Sequence, residues 1–428
     1  MKKVLIIIGI VVSLSVGWLA TVQAIQQSKD NSQMEKYVAF ANKQAELGAY
    51  GAAIDYMKKA VNEEKTYDNV RLLADYYHAN EDIDSYIEML EELINMEPSV
   101  QLYNELQELY YNIGDYSSCM DTVMEAYNEG YSDEHMLDVY YECKYRYVLV
   151  GGTYDNIHNY YNGCAVVEAG EEYYMLNSKV ASTCGKKAYE YLSGYSESKI
   201  AVTREGHSYY MDIDGNKYID TEKDYEMAYS YQCGLAVVVR DGKYYYVNST
   251  FRELYGPFDY ASSYAENVAA VCVNGKWRLI DIYGEFINEE EYEDIIIDEE
   301  NQCSVKGVIF AKKNNQYIML NTKGEAITEQ QFEDARVFFT DNVTAVKYNG
   351  KWGFIYTDGT VCIEPQYEDA KAFGNGIAAV CIDGKWGFIN TKQRIVIEPV
   401  FEDAKCCGQN NLVPVKIDGY WRVLKITK

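Results

Sequence analysis

The octapeptide NGKWGFIY, Asn349 to Tyr356, returns 34 positions later as DGKWGFIN, Asp383 to Asn390. In both copies an Asx-Gly step separates an Ala/Val-rich apolar segment from an aromatic segment. Asn-Gly and Asp-Gly are strong signals for two-residue hairpin turns, and β-branched and aromatic residues favour the strands on either side. The stretch therefore predicts a β-hairpin that the chain uses more than once.

The hairpin recurs from about residue 148 to residue 428. Aligned on the turn glycine, the copies lie at Gly170, Gly206, Gly242, Gly275, Gly350, Gly384 and Gly419, with Asn315 in the place of glycine once. They are 33–40 residues apart, and the longest step, of 40 residues, leads to Asn315. A second turn and a third strand complete each unit. Such units leave open sheet edges, so they have to stack on their neighbours.

The two ends of this β section are complementary. VLVGGTYDNI, Val148 to Ile157, aligns without gaps with IVIEPVFEDA, Ile395 to Ala404, so the section begins with a third strand. Its last unit stops after the aromatic strand at Ile426. A closed ring joins the two pieces into one composite blade and removes both edges. An open β stack is the alternative, but it does not need this complementarity. We therefore predict a β-propeller of about eight blades over residues 148–428.

The β section resembles the bacterial WG-repeat family, which is named for its Trp-Gly step. The resemblance is strongest at Gly350 to Ile355 and at Gly384 to Ile389. It weakens toward the N-terminus, where Tyr209 and Tyr244 are taken to stand at the tryptophan position and the glycine is lost. The resemblance implies a β-repeat domain that acts by binding, and it supplies no shared catalytic residues.

Residues 32–147 have apolar residues at helical spacing and contain a second repeat. Gly48-x-Tyr50-x-x-Ala53 returns 66 positions later as Gly114-x-Tyr116-x-x-Cys119, and a weaker copy between them ends at Pro98. Small residues at these points let antiparallel helices approach closely, and a proline ends the second helix. The section resembles the tetratricopeptide repeat, a helix–turn–helix unit of about 34 residues. That resemblance implies a concave groove for a peptide or partner helix; a helical spacer is the alternative.

Residues 1–25 begin with MKK and continue with an apolar run from Val4 to Val22. Nineteen helical residues span about 28 Å, close to the hydrocarbon thickness of a bilayer. A cleaved signal peptide is the alternative, because Val22-Gln23-Ala24 is a candidate cleavage site. Lys2 and Lys3 favour a cytoplasmic N-terminus. We therefore expect a single-pass membrane protein with most of the chain extracytoplasmic, or a secreted one after cleavage. The predicted fold class is α+β multidomain: transmembrane helix, helical repeats and β-propeller.

The charge balance and the motifs limit the function. Acids outnumber bases by 66 to 39, which gives a net charge of −27. Nucleic-acid binding is excluded, because it needs a density of Lys and Arg that the chain lacks. DIDGN, Asp212 to Asn216, hints at a calcium loop, but Lys217 stands where an EF-hand requires glycine. There is no nucleophile motif, phosphate loop or C-x-x-C pair. We expect no enzyme activity, no metal and no cofactor, and we expect the cysteines to be free thiols.

Two surfaces are predicted to bind partners. The groove of the helical section carries Tyr50, Tyr76, Tyr77, Tyr110 and Tyr111. Acid pairs at the ends of the third strands would form a ring of carboxylates: Glu293 and Asp294, Glu333 and Asp334, Glu368 and Asp369, Glu402 and Asp403. Acids at strand ends also form turns, so the pairs have a structural explanation as well.

The expected function is that of a binding or scaffold protein at the cell envelope. Its expected partners are proteins or peptides, among them basic ones. The alternative is a protein that binds cell-wall glycan through aromatic residues such as Trp352 and Trp386. Aromatic residues that repeat at one position also pack units together, so they too have a structural explanation.

Overall fold

The computed structural model describes residues 33–187, 189–219 and 225–427. The chain divides into two compact units, one up to Lys144 and one from Tyr145 onward. The described part of the first unit is helical, and the second unit is built of β-sheets.

Seven helices make up the described part of the first unit. The helices are α1 (33–46), α2 (Tyr50–Glu63), α3 (Tyr67–Ala79), α4 (Ile83–Met96), α5 (Val100–Ile113), α6 (Tyr116–Glu129) and α7 (Glu134–Lys144). Each helix from α2 to α6 packs against the next one along the chain.

The ends of these helices follow from local sequence. The side chains of Thr66, Asp82, Ser99 and Asp115 cap α3 to α6 by accepting a hydrogen bond from a backbone N–H in the first turn. Gly114 ends α5 with a φ of 80°, a left-handed conformation that glycine adopts without strain. The small residues of the repeat are fully buried between helices: Ala53, Ala60, Cys119 and Ala126. They permit the close helix packing that their spacing predicts.

The expected membrane helix is not supported. Within the described residues, no helix is long and apolar enough to cross a bilayer. Helices α2 to α7 have at most 14 residues, or about 21 Å, against a hydrocarbon layer of about 30 Å. The predicted anchor, residues 1–25, lies outside the described residues. The fold class is therefore corrected to helices followed by a β-propeller, and the single-pass membrane localisation is withdrawn.

The second unit is an eight-bladed β-propeller, as predicted. Blade 1 consists of β2 (Asn156–Ile157), β3 (Ala165–Ala169), β4 (Glu172–Leu176) and β5 (Ser182–Lys187), and blade 2 of β6 (Tyr191–Leu192), β7 (Ile200–Arg204), β8 (His207–Met211) and β9 (Lys217–Ile219). Blade 3 consists of β10 (Met227–Ala228), β11 (Leu235–Arg240), β12 (Lys243–Asn248) and β13 (Glu253–Phe258), and blade 4 of β14 (Tyr260–Ala261), β15 (Val268–Val273) and β16 (Lys276–Asp281). Blade 5 consists of β17 (Asp294–Ile295), β18 (Val308–Lys313), β19 (Gln316–Asn321) and β20 (Ala326–Phe332). Blade 6 consists of β21 (Asp334–Ala335), β22 (Val343–Tyr348), β23 (Lys351–Tyr356) and β24 (Val361–Tyr367). Blade 7 consists of β25 (Asp369–Ala370), β26 (Ile377–Ile382), β27 (Lys385–Asn390) and β28 (Ile395–Phe401).

Blade 8 closes the ring by joining the two ends of the β section. It combines β29 (Asp403–Ala404), β30 (Leu412–Ile417) and β31 (Tyr420–Ile426) with β1 (Tyr147–Tyr154) in the order β1-β31-β30-β29. Strand β1 runs antiparallel to β31. This confirms the composite blade, and the ring replaces the open β stack.

The Trp-Gly step lets the third strand approach the second closely. Trp352 is buried. A Cβ atom on Gly353 would lie 2.6 Å from the carbonyl oxygen of Ile363 and 2.6 Å from the backbone nitrogen of Pro365. Gly387 has the same relation to Ile397 and Pro399 in blade 7. Only glycine therefore fits beside the proline-containing third strand.

The strand register corrects one alignment made from the sequence. In blade 6 Trp352 faces Lys347. In blade 2 the equivalent pair is Ser208 and Thr203, so Ser208 occupies the tryptophan position and Tyr209 the glycine position. Tyr244 does occupy the tryptophan position of blade 3, because it faces Val239.

Candidate binding site in the central channel

The loops that follow the short first strands of the blades meet in the centre of the ring. The clearest contact joins blade 5 to blade 1, which lie opposite each other in a ring of eight. The backbone N–H and the side-chain amide of Asn159 donate to the Glu299 carboxylate at 2.8 and 3.0 Å. The Tyr161 hydroxyl lies 3.5 Å from Asp298. The loop of blade 5 therefore crosses the central channel.

We call Asp298–Gln302 the channel segment. Asp298 folds it into a turn, because its carboxylate accepts from the N–H groups of Glu300 at 3.0 Å and Gln302 at 2.8 Å. Asn301 reaches blade 4, where its side-chain oxygen accepts from the Tyr260 hydroxyl at 2.7 Å. Glu300 lies against blade 2, where a Cβ atom on Gly194 would be 2.0 Å from its carboxylate. The segment is thus in contact with blades 1, 2 and 4.

The sequence motifs did not predict this segment. The signal was present in the 40-residue step from Gly275 to Asn315, which is five residues longer than the next step to Gly350. The extra length lies between β17 and β18, where DEENQ, Asp298 to Gln302, has no counterpart in the other units. The residue spacing locates an insertion, but it does not show that the insertion enters the channel.

Burial controls the charge of the channel segment. It raises the pKa of Asp298 to about 7, although two backbone N–H groups oppose the shift. Burial, with the neighbouring Asp298 and Glu299 charges, raises the pKa of Glu300 to about 8. Burial also acts to raise the pKa of Glu299, but Lys405 and the Asn159 N–H more than offset it, so this pKa lies below its ordinary value. Glu299 is therefore the acid of the three that is fully ionised at neutral pH.

A recess of about 300 Å³ lies beside the channel segment. Its apolar wall includes Tyr161 and Phe339, whose rings meet edge to face at 5.1 Å. Ala372 and Cys406 pack against Phe339. Within the described residues, no group of three His, Cys, Asp or Glu side chains is placed to hold a metal ion.

Three cations line the recess from equivalent positions in blades 6, 7 and 8, and we call them the basic arc: Arg336, Lys371 and Lys405. Each lies over the tryptophan of its own blade, at 4.3 Å from Trp352, 4.8 Å from Trp386 and 5.6 Å from Trp421, respectively. The three tryptophans are at most 7% exposed. They offer no open face on which a sugar could stack.

The members of the basic arc differ in their partners. Arg336 donates to Asp369 at 3.1 Å. Lys405 forms an ion pair with Glu299 of the channel segment. No carboxylate of the described residues pairs with Lys371. The recess therefore contains one lysine whose charge is not compensated by a direct ion pair.

The predicted carboxylate ring holds turns within its own blades. Glu333, Glu368 and Glu402 each accept from the N–H of the turn glycine of their blade at 2.9–3.0 Å. Glu293 accepts from Asn314 and Asn315 in the same way. The second acids accept from the next backbone N–H in the chain: Asp294, Asp334, Asp369 and Asp403. These bonds match the structural explanation, and a role in partner binding stays a prediction.

The five predicted tyrosines lie at helix–helix contacts. Tyr76 and Tyr77 are buried, and the Tyr76 hydroxyl donates to Asn42. Tyr50 is half-buried beside the Tyr76 ring. Tyr110 and Tyr111 are half-buried as well, and they donate to Glu91 and Glu142. Their use by a partner also stays a prediction.

Five segments of the chain match the family model of the WG containing repeat: 221–244, 258–277, 319–352, 352–386 and 386–421. The propeller contains WG repeats. The matched segments begin in the region of blade 3, so the tetratricopeptide-like arrangement of the helical unit stays a prediction. No curated protein matches the chain.

The fold around the WG repeats is similar to that of several solved structures. Hsv2p of Kluyveromyces lactis has 8% identity and a TM-score of 0.38 over 56% of this chain and 95% of that one. A eukaryotic initiation factor has 8% identity and a TM-score of 0.43 over 63% and 82%. The Pan2 WD40 domain of Neurospora crassa has 9% identity and a TM-score of 0.32 over 56% and 89%. These likenesses concern the general fold and say nothing about function.

Proposed function

We propose that the protein is a scaffold that binds peptide segments of other proteins, and that the WG-repeat propeller holds such a segment in the recess beside its channel. The observation that carries the proposal is the recess itself, which combines the Tyr161–Phe339 wall with the basic arc. Concave sites with apolar walls and a few convergent polar groups are the usual form of ligand sites. A volume of about 300 Å³ accepts a few side chains rather than a folded domain.

Binding without catalysis is part of this proposal. The nucleophile nearest to the recess is Cys406, and burial raises the pKa of its thiol to about 12. A thiol attacks only as thiolate, so Cys406 is unreactive at neutral pH. His158 is half-buried near Glu299 and Lys405, and desolvation lowers its pKa. It is therefore neutral at physiological pH and does not add to the basic arc.

A protein ligand is favoured over glycan. Sugar binding was expected to use the repeated tryptophans, but Trp352, Trp386 and Trp421 are buried beneath cations. The fourth, Trp277, is half-buried and packs against the ring of Tyr260. Of the three aromatic residues that border the recess, Tyr161 and Phe339 meet edge to face, and Phe338 is buried and stacks on Phe310, so none offers a flat platform.

The test selects random peptides, displayed on phage, against the immobilised full chain. Enriched peptides are then measured by fluorescence anisotropy on the wild type, on Tyr161→Leu and on the control Phe354→Leu, whose ring is buried inside blade 6. Tyr161 is the half-buried member of the aromatic wall, so Tyr161→Leu is expected to weaken binding by about threefold to tenfold, because an aromatic contact contributes about 0.5–1.5 kcal/mol. The proposal is overturned if no peptide is enriched, or if Tyr161→Leu binds as the wild type does.

A further inference from the structure

Glu299 is held in the channel as a ligand would be held. Its carboxylate accepts from the Lys405 ammonium and from both the backbone N–H and the side-chain amide of Asn159. These donors come from blades 8 and 1, whereas Glu299 belongs to blade 5. Its side chain keeps 29% of its accessible surface, so water reaches this ion pair. The contact is therefore open to exchange with a carboxylate from outside.

The adjoining recess contains a second ammonium group that could bind a carboxylate. Lys371 lines it one blade away from Lys405, and it pairs with no carboxylate of the described residues. Its stacking on Trp386 keeps the ammonium group at a fixed place on the wall. The recess also contains two carboxylates, but Glu299 is paired with Lys405, and burial raises the pKa of Asp298 to about 7, so that it is partly protonated. Lys371 therefore adds a local positive charge to the recess in a chain whose net charge is −27.

We propose that the recess recognises an acidic segment of the partner, and that Glu299 is an internal stand-in which the partner's carboxylate displaces from Lys405 and Asn159. This inference rests on the proposed function and names the class of its ligand. A second partner carboxylate then reaches Lys371. Glu299 thus acts as an autoinhibitory contact, because it must leave before the partner binds.

The exchange keeps the donors around Lys405 and Asn159 paired, and the displaced Glu299 carboxylate, which is already partly exposed, moves into water. One carboxylate replaces another, so Lys405 and the two Asn159 donors keep an acceptor throughout. A basic or neutral segment cannot replace Glu299, since it would leave these donors without an anionic acceptor and would face Lys371. Asp298 and Glu300 keep their own contacts to backbone groups and to Gly194 and do not take part in the exchange.

The probes are three labelled peptides, GEEFEEG, GQQFQQG and GKKFKKG, measured by fluorescence anisotropy on the full chain at low and moderate salt. The wild type is expected to bind the acidic peptide and to bind the other two more weakly. Glu299→Gln removes the internal competitor and is expected to tighten acidic binding by about tenfold, whereas Lys371→Gln is expected to weaken it by about tenfold. The exposed controls Glu329→Gln and Lys276→Gln are expected to change it by less than about twofold.

Three outcomes overturn the inference. The first is an unchanged or weaker affinity for the acidic peptide in Glu299→Gln, in a variant whose Tm shows that it is folded. The second is equal binding of GEEFEEG and GQQFQQG. The third is competition by succinate at the same concentration as the peptide, which would assign the recess to small acids. If peptides selected from the library bind but acidic ones do not, the scaffold function stands and this inference alone fails. If no peptide binds, both fail.

Discussion

Blades 6 and 5 are neighbours built from the same repeat, yet they depart from each other at several places. Blade 6 has Gly353 after its tryptophan and Pro365 in its third strand, whereas blade 5 has Ile318 and Gln330 at the equivalent positions. Blade 5 also carries the five-residue insertion that becomes the channel segment. Blade 6 lines the recess with Ala335 to Phe339, among them Arg336 and Phe339. The recess therefore lies between a regular blade and the insertion carried by its irregular neighbour.

The largest effect is expected in the regular blade. Gly353→Ala places a Cβ atom 2.6 Å from the backbone of Ile363 and Pro365, which cannot move as a flexible side chain would. We expect a loss of about 2–4 kcal/mol in the free energy of unfolding, or about 5–10 °C in Tm. Thermal unfolding followed by circular dichroism measures it. The control is Gly152→Ala, where the added atom meets nothing closer than 3.8 Å. Equal Tm values for both variants would show that the Trp-Gly step is not a steric requirement.

This contrast explains how far the sequence predicts the molecule. Residues that recur have the same local partner in each unit, so their role can be inferred from spacing. Closure by blade 8 was predictable because Val148–Ile157 supplies the strand that the last unit lacks. The recurring acids, such as Glu333 and Glu368, hold the turn of their own blade for the same reason.

The channel segment could not be predicted in this way. Glu299 and Asn159 are 140 residues apart and meet only because blades 5 and 1 face each other across a closed ring. Glu300 has no equivalent in the other units, and its burial depends on Gly194 in blade 2. The best guide was the break in period between Gly275 and Asn315, since an insertion into a regular repeat has to be placed somewhere the repeat leaves open.

An intermediate effect is expected from pH at the irregular blade. The pKa of Glu300 is about 8 in the folded protein against 4.5 ordinarily. The folded state thus holds a proton that the unfolded state has released, so this residue's contribution to stability is fully present below about pH 4.5 and is lost as the pH rises to about 8. Glu300→Gln abolishes the titration. We expect it to stabilise the protein on the order of 2 kcal/mol at pH 9, relative to the wild type, and to have little effect at pH 5.

The measurement is chemical denaturation of the wild type and of Glu300→Gln at pH 5, 7 and 9. Glu329→Gln serves as the matched control, because Glu329 is exposed on the outer strand of the same blade. Its effect is expected to be independent of pH. A stabilisation by Glu300→Gln that is the same at pH 5 and pH 9 would contradict the assignment of a raised pKa to Glu300.

The smallest effect is expected from converting blade 5 toward blade 6. Gln330→Pro alone removes the N–H that donates to Thr328 at 3.3 Å and brings a proline ring toward Ile318, so it should destabilise by about 1–2 kcal/mol. Ile318→Gly alone removes a half-buried side chain and should also destabilise. The double variant should lose about 1 kcal/mol less in the free energy of unfolding than the two single variants lose together. The reason is that the proline then lies over a glycine, as it does in blades 6 and 7. Denaturant unfolding of the four proteins gives the coupling energy.

The control combines Gln330→Pro with Arg278→Gly, which changes the equivalent position in blade 4. The effects of these two substitutions on the free energy of unfolding should be additive within about 0.5 kcal/mol. Equal coupling in both cycles would mean that the Gly–Pro pairing is not a contact within one blade, and the distinction between the two blades would then rest on the channel segment alone.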